Sequence, residues 1–244
     1  MNPCIAEFIG TLLVVTFGNG VVANVVLART KGHDAGLIVI TAGWGMAVFI
    51  GAFCSAPFSG AHLNPAVTLA MAMAGKLAVG SVGGYVLAQM LGAMAGSALA
   101  FLFYREHFKA SDDPDAKLAC FCTAPAIRNL PQAFFCEVVG TFMLILPIFL
   151  MTDPVIEVAD ASALVGLGTL GRLPVALLIF AIGLCLGGTT GFAINPARDL
   201  GPRLMHAFLP IPGKRDSDWG YAWVPVVGPL VGAVLAALTN SAIH

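Results

Sequence analysis

Long apolar stretches, separated by short polar connections, run through the whole chain. A helix needs about 20 mostly apolar residues to cross the hydrocarbon core of a bilayer. Six stretches approach or exceed that length: residues 5–27, 36–58, 81–104, 132–152, 173–191 and 221–243. The period-two alternation of a membrane β-barrel is weak here, so the pattern predicts an all-α membrane protein with six transmembrane helices.

Two further apolar segments, residues 64–74 and 195–207, are too short to span a bilayer and have the length of re-entrant segments. Asparagine is a favoured N-cap, and proline suits the first helical position because its missing N–H would have no partner there. Each segment is therefore predicted to be a half-helix that begins inside the membrane. The two starts are the triplets Asn64-Pro65-Ala66 and Asn195-Pro196-Ala197.

The chain also repeats itself. Residues 6–11 resemble residues 136–141, and residues 60–66 resemble residues 191–197, at offsets of 130 and 131. Each half holds three spans and one short segment, and because three is odd the second half enters the membrane from the opposite side. We expect one transmembrane domain over residues 1–244, with inverted repeats at about 1–104 and 132–244. The joining loop, 105–131, is expected to be exposed and to have little functional content.

Composition narrows the function. Hydrophobic residues make up 58% of the chain and charged residues only 10%, whereas a soluble domain carries about 25% charged residues. The net charge of −1 and the lack of a basic run are unlike a nucleic-acid-binding protein. The cysteines and histidines show no metal-ligand spacing, and no catalytic arrangement is recognisable. The sequence predicts no metal, no cofactor and no enzymatic activity.

The inverted repeat brings the two half-helix starts together near the bilayer midplane, where such proteins commonly place their sites. Each helix N-terminus carries about half a positive charge, so two of them at a constriction disfavour cations and protons. The amides of Asn64 and Asn195 would remain as donors, so the path suits a neutral molecule with hydroxyl or amide groups. Acceptors would be the carbonyls preceding each motif, namely those of Gly60, Ala61, His62, Leu63, Gly191, Ala193 and Ile194.

Residues 59–68, Ser-Gly-Ala-His-Leu-Asn-Pro-Ala-Val-Thr, and 190–199, Thr-Gly-Phe-Ala-Ile-Asn-Pro-Ala-Arg-Asp, resemble the paired signatures of the aquaporin (major intrinsic protein) family. The resemblance covers essentially the whole chain. It implies an aquaporin-like fold, a passive channel in each subunit of a homotetramer, and a lipid bilayer as surroundings. Compact loops and short termini suggest a bacterial inner membrane.

Four residues resemble the selectivity filter of the family's glycerol-conducting branch: Trp44, Gly183, Phe192 and Arg198. The resemblance implies that Gly183 widens the opening, that Trp44 and Phe192 form an apolar wedge, and that Arg198 donates hydrogen bonds from the opposite wall. Taken alone, Trp44 could be an interfacial tryptophan and Gly183 a helix-packing glycine.

The function implied is facilitated diffusion of glycerol and related small uncharged solutes, with some water permeability and with ions excluded. A water-selective channel, or a channel for urea or undissociated lactic acid, remains an alternative. A secondary transporter also uses inverted repeats and broken helices, but few intramembrane charges are available to couple an ion gradient.

The charged and polar residues within or beside the apolar segments each have more than one possible role. Glu7 and Glu137 lie in apolar spans at matching repeat positions and could be a proton relay or structural braces. The resemblance implies braces for the loops beside the Asn-Pro-Ala motifs, and Asp199 is grouped with them. Gln89 could face the path or bond between helices. His62 could sense pH, but a structural role for its backbone carbonyl is favoured.

Charge alone argues against the orientation that the family implies. Both termini are expected in the cytoplasm, which places the loops at 28–35, 105–131 and 209–220 outside. The positive-inside rule favours the reverse, yet the resemblance puts Arg198 on the outer side, and we keep that orientation. The outer loops hold Arg29, Lys31, Arg105, Lys109, Lys117, Arg128, Lys214 and Arg215, against Lys76 and Arg172 inside.

Overall fold

The computed structural model describes residues 1–152, 155–158 and 161–244. Within them, six helices are long and apolar enough to cross a membrane, as predicted. The helices in chain order are α1 (Pro3–Val26), α2 (Leu37–Ser59), α3 (Pro65–Met73), α4 (Val82–Phe103), α5 (Arg105–Ala110), α6 (Pro114–Ala119), α7 (Leu130–Leu150), α8 (Leu173–Leu186), α9 (Pro196–Phe208) and α10 (Val224–Ile243). The six membrane helices are α1, α2, α4, α7, α8 and α10, and the two short segments are the half-helices α3 and α9.

Asparagine sets the start of several helices. The side-chain oxygen of Asn2 accepts a hydrogen bond from the N–H of Cys4, so α1 begins at Pro3, slightly earlier than predicted. Asn129 caps α7 in the same way. These asparagines satisfy N–H groups that would otherwise have no partner in the first turn.

Two connections depart from the sequence prediction. The fifth span ends at Leu186 and not at Gly191, because the chain turns there and reaches Gly191 with a φ of +82°. Between α7 and α8, two short antiparallel strands, β1 (Val155–Val158) and β2 (Ala161–Leu164), form a hairpin with Val155 opposite Leu164. The apolar stretches and helix starts that predict the spans carry no signal for this pair of strands.

The loop at 105–131 is not a simple exposed connection. It contains α5 and α6, and the side chains of Phe108 and Phe121 are buried in the main hydrophobic core. The expectation of little functional content was wrong, because the run of aspartate and proline at 112–115 describes only the exposed part of the loop. The segment after it folds inward and reaches the candidate site.

The two halves interlock through their half-helices. The half-helix α3 packs against α10, and α9 packs against α4, so each half-helix contacts the third span of the other half. Glycines permit the tightest crossings within each half. A Cβ atom at Gly92 would lie 2.4 Å from the carbonyl oxygen of Phe8, and one at Gly232 would lie 2.4 Å from that of Val138. Phe8 and Val138 are 130 residues apart, so both crossings follow the repeat.

Candidate functional site

The two half-helices meet at their asparagines. Asn64 Nδ2 donates to the carbonyl oxygen of Ile194 at 2.9 Å, and Asn195 Nδ2 donates to that of Leu63 at 2.9 Å. Each side-chain oxygen caps its own helix, accepting from the N–H two residues later. An asparagine amide has two N–H hydrogens, so each junction bond leaves one hydrogen on each side chain for a passing molecule.

The chain before each asparagine adopts the same unusual backbone. Gly60 and Gly191 both have a φ of +82°, and the non-glycine residues that follow also have positive φ. These are Ala61 (+58°), Leu63 (+53°), Phe192 (+40°) and Ile194 (+42°). Left-handed backbone costs about 1–2 kcal/mol for an ordinary residue, and more for a β-branched one such as Ile194. Such loops persist only when their surroundings hold them in place.

Glu7 holds the first loop. Its carboxylate is fully buried and accepts four hydrogen bonds. Two come from the backbone, His62 N–H at 2.9 Å and Leu63 N–H at 2.7 Å, and two from the side chains of Ser59 at 2.6 Å and Gln89 at 2.7 Å. Gln89 also donates to Thr68 Oγ1, so it bonds between elements and does not face the path.

Glu137 holds the second loop in the same manner but with three donors. Ala193 N–H and Thr190 Oγ1–H donate to Oε1 at 3.0 and 2.7 Å, and Ile194 N–H donates to Oε2 at 2.7 Å. The crossings at Gly92 and Gly232 make Pro229 the repeat partner of Gln89, and proline supplies no side-chain donor. Hydrogen bonds to a carboxylate are roughly twice as strong as neutral ones, so both glutamates offset the strain of the loops that they hold.

Two cavities lie along the path and share three lining residues, Trp44, Phe192 and Arg198. The first has a volume of about 170 Å³ and is lined by the two loops and by apolar side chains. The second, of about 670 Å³, opens between α2 and the loops before α7 and α10. The predicted site residues lining the first cavity are Trp44, Gly60, Ala61, His62, Leu63, Asn64, Phe192, Ala193, Ile194, Asn195 and Arg198; Gly191 lines the second.

The predicted filter residues are arranged differently from expectation in two respects. The guanidinium carbon of Arg198 lies 4.0 Å from the centroid of the Trp44 ring, so the arginine stacks on the tryptophan and is not on an opposite wall. Such a cation–π contact stabilises the pair by about 0.5–2 kcal/mol. Within the described residues no salt bridge involves Arg198, which leaves its N–H groups available to a hydroxyl.

Gly183 lines neither cavity. A Cβ atom there would lie 2.6 Å from Thr41 Cγ2 and 3.1 Å from Phe192 Cζ, and one at Gly187 would lie 2.6 Å from Phe192 Cδ1. The lack of a side chain at position 183 therefore does not leave open space in the path. Gly183 makes room for the ring of Phe192, which then faces the cavity.

A buried ion pair lies behind Arg198. The carboxylate of Asp199 accepts from Arg203 Nε at 2.8 Å and from the N–H and hydroxyl of Thr123 at 2.8 and 2.7 Å. Arg203 also donates to the carbonyl oxygens of Thr123, Ser217 and Asp218. Asp199 and Arg203 are fully buried, and Arg203 connects α9 to the loops before α7 and α10.

Sequence reasoning grouped Asp199 with the braces but missed its partners Arg203 and Thr123, although one signal for Arg203 was present. Asp199 and Arg203 are four residues apart on the predicted half-helix, a spacing that places opposite charges side by side. The contribution of Thr123 carried no comparable signal, because nothing in the loop sequence indicates which residue turns inward.

Four charged side chains of the loops before α7 and α10 form a cap, made of Arg128, Asp218, Arg215 and Asp115. Arg128 donates to both oxygens of Asp218, at 2.5 and 2.8 Å, and Arg215 pairs with Asp115. The hydrogen bond from Arg128 lowers the pKa of Asp218 below its usual value. Lys214 donates to three carbonyl oxygens at the end of α9. Of these cations, Arg128 and Arg215 also line the second cavity.

Among the described residues, no cluster of histidine, cysteine and acidic side chains could hold a metal ion. All six cysteines are free. Burial raises the pKa of the Cys120 and Cys122 thiols in the loop before α7, which makes both groups inert at neutral pH.

Comparison with known proteins agrees with this architecture. A glycerol uptake facilitator protein of Streptococcus pneumoniae is 51% identical over 241 residues, covering 99% of each chain. A D/L-lactic acid transporter of Lactiplantibacillus plantarum is 42% identical over 241 residues, covering 97% of this chain and 95% of that one. The aquaglyceroporin of Plasmodium falciparum superposes with a TM-score of 0.81 at 33% identity, covering 96% and 93% of the two chains. The family model described as major intrinsic protein matches residues 1–240, and the chain belongs to that family.

Proposed function

We propose that this protein is a passive channel through which glycerol and related small uncharged solutes cross the membrane, together with some water. The observation that carries the proposal is the mixed lining of the path, in which the loops and asparagines that bear carbonyl and amide groups occur together with apolar side chains. A polyol has a hydroxyl-bearing side and a carbon-backbone side, so it matches both kinds of group at once. The name and close similarity of the Streptococcus pneumoniae relative support the same solute.

Selection occurs where the two cavities meet. Trp44 and Phe192 contact the carbon backbone of the solute, and Arg198 and the asparagine amides donate to its hydroxyl groups. Ions are excluded because the two half-helix N-termini and Arg198 place positive charge at a constriction that offers too few ligands to replace a hydration shell. Glu7, Glu137 and Asp199 act as braces and carry no protons across the membrane.

Flux measurements on proteoliposomes test this proposal. Stopped-flow light scattering should show glycerol entry far faster than in empty liposomes, with a rate linear in glycerol concentration and unaffected by ion gradients. Water and urea are measured in the same vesicles. Saturable glycerol uptake that requires a proton gradient would overturn the channel mechanism, and fast water entry without glycerol entry would favour the water-selective alternative.

Undissociated lactic acid is a second candidate solute. The lactic acid transporter of Lactiplantibacillus plantarum covers almost the whole chain, and the free guanidinium N–H groups of Arg198 can bond a neutral carboxyl group as well as a hydroxyl. Lactic acid entry should then rise as the pH is lowered, in proportion to the undissociated fraction. Entry that is independent of pH would contradict this second activity.

We also propose one channel domain over residues 1–244, built from inverted repeats, in a bacterial inner membrane with both termini in the cytoplasm and four identical subunits. The outer-loop cations Arg128, Lys214 and Arg215 support this orientation, because they are bonded within a folded cap and are not free to interact with anionic lipids. Reporter enzymes fused to each terminus test the orientation, and light scattering of the detergent-solubilised protein tests the tetramer.

A further inference from the structure

The ring of Trp44 is held against α1 at a single glycine. Gly18 is buried on that helix and faces the edge of the six-membered ring. A Cβ atom at Gly18 would lie 2.2 Å from Trp44 Cζ3 and 2.4 Å from both Cε3 and Cη2, whereas ordinary van der Waals contact begins at 3.4 Å. The space between the helix and the ring therefore admits no carbon atom.

Packing alone fixes the position of this ring. Its Nε1 is buried and has no hydrogen-bond partner among the described residues. The guanidinium carbon of Arg198 lies over one face of the ring, 4.0 Å from its centroid, and so limits how the ring can tilt. Gly18 itself lines neither cavity, so a change there can affect a solute only through Trp44.

We propose that Gly18 is a positioning residue that sets the width of the path at Trp44 and thereby the preference for glycerol over water. The inference rests on the proposed glycerol conduction. A methyl group at Gly18 needs the edge of the ring to move away from α1 by about 1.2 Å, the difference between 2.2 and 3.4 Å. Trp44 lines both cavities, so we expect a ring displaced from α1 to narrow the path there. Glycerol is wider than water, so the same narrowing slows glycerol more.

Gly18→Ala is the test variant, and Gly20→Ala is its matched control on the same helix. A Cβ atom at Gly20 meets only Tyr104 Cε2, at 3.9 Å, which is ordinary contact. In proteoliposomes Gly18→Ala should lower glycerol permeability by about fivefold, which corresponds to about 1 kcal/mol in the barrier to glycerol passage. Its water permeability should change by less than about twofold, and Gly20→Ala should match the unmodified protein in both.

A smaller aromatic ring separates positioning from general packing. Phenylalanine at position 44 lacks the outer ring edge that Gly18 faces, so Gly18→Ala should change glycerol permeability by less than about twofold when added to Trp44→Phe. An equal loss in both backgrounds, or an equal fall in water and glycerol, would overturn the inference. If Gly18→Ala fails to fold, normal folding of the double variant supports the clash with Trp44, and failure of both overturns it.

Different results would overturn the proposed glycerol conduction and the proposed role of Gly18. No glycerol entry through the unmodified protein would overturn the proposed function. Normal glycerol entry there, with an unchanged ratio of glycerol to water in Gly18→Ala, would overturn the role of Gly18 alone.

Discussion

The loops that precede Asn64 and Asn195 share a backbone but differ in what surrounds it. Both begin at a glycine with a φ of +82° and are held by a buried glutamate. In the first half the surroundings are neutral, since Gln89 and Thr68 complete the network around Glu7. In the second half Asp199 and Arg203 form a buried ion pair instead.

The repeat offset of 131 shows where the halves diverge. Ala61 corresponds to Phe192, Val67 to Arg198 and Thr68 to Asp199. Both half-helices need the same start and the same brace, so those residues match. Phe192 and Arg198 therefore have no counterpart of similar size or charge in the loop and half-helix of the first half. The brace follows the symmetry of the fold, and we expect selectivity to depend on the departures from it.

The largest difference between the halves should appear at Asp199 and its counterpart Thr68. Asp199→Asn leaves Arg203 buried without a carboxylate and turns an amide N–H₂ toward a hydrogen-bond donor, and breaking a buried ion pair costs about 3–5 kcal/mol. Thr68→Val removes only neutral hydrogen bonds and should cost about 1–2 kcal/mol. Denaturation of the detergent-solubilised variants, followed by tryptophan fluorescence, measures both free energies of unfolding.

Equal losses at the two positions would contradict the view that the second half depends on a buried charge pair. A loss at Asp199→Asn that is restored by adding Arg203→Met would support it, because the unpaired charge is then removed as well.

The two braces differ by one donor, and removing that donor tests whether three are enough. Gln89→Leu leaves Glu7 with the three donors that Glu137 already has. It should lower the free energy of unfolding by about 2 kcal/mol, as expected for a hydrogen bond to a charged group, while glycerol permeability stays close to that of the unmodified protein. Complete loss of permeability in a folded Gln89→Leu protein would show that the two loops are not held by equivalent braces.

The asymmetry at the filter predicts that Gly183→His is better tolerated when Phe192→Cys is made with it. Gly183→His alone places its side chain against Thr41 and the ring of Phe192, so it should reduce the yield of folded protein. Adding Phe192→Cys removes the ring but leaves Thr41 beside position 183, so the double variant should give more folded protein than Gly183→His alone. Its glycerol permeability should fall by about tenfold, equivalent to about 1.4 kcal/mol, with water spared. Unchanged glycerol flux would show that this corner does not select the solute.

These elements also differ in how far the sequence could predict them. The six spans, the two half-helices and the paired glutamates follow from apolar length, the Asn-Pro-Ala starts and the repeat. The stacking of Arg198 on Trp44 and the packing of Phe192 against Gly183 do not follow from the sequence. Side-chain direction depends on helix crossings, and these leave no local pattern. Thr123 was missed for the same reason, since the inward turn of its loop is decided by tertiary packing.

The smallest expected effect concerns the cap formed by Arg128, Asp218, Arg215 and Asp115, whose charge pairs are partly exposed. Arg128 lowers the pKa of Asp218, so the carboxylate is favoured more in the folded than in the unfolded protein. The resulting stability is present above the unfolded pKa, about 3.9, and is lost as the pH falls through the lower, folded pKa. Because the Arg128 side chain is 52% exposed, the pair should contribute no more than about 1 kcal/mol.

The variant Arg128→Met measures this contribution. Arg29→Met, in the loop before α2, is the control, because no salt bridge within the described residues involves Arg29. At pH 7 Arg128→Met should unfold at a slightly lower denaturant concentration than the unmodified protein, and the difference should shrink as the pH is lowered toward 3. Added salt should also reduce it, because exposed charges are screened. A difference that persists at low pH would assign the role of Arg128 to packing against Tyr221, whose ring centroid lies 5.9 Å from its guanidinium carbon, and not to its charge.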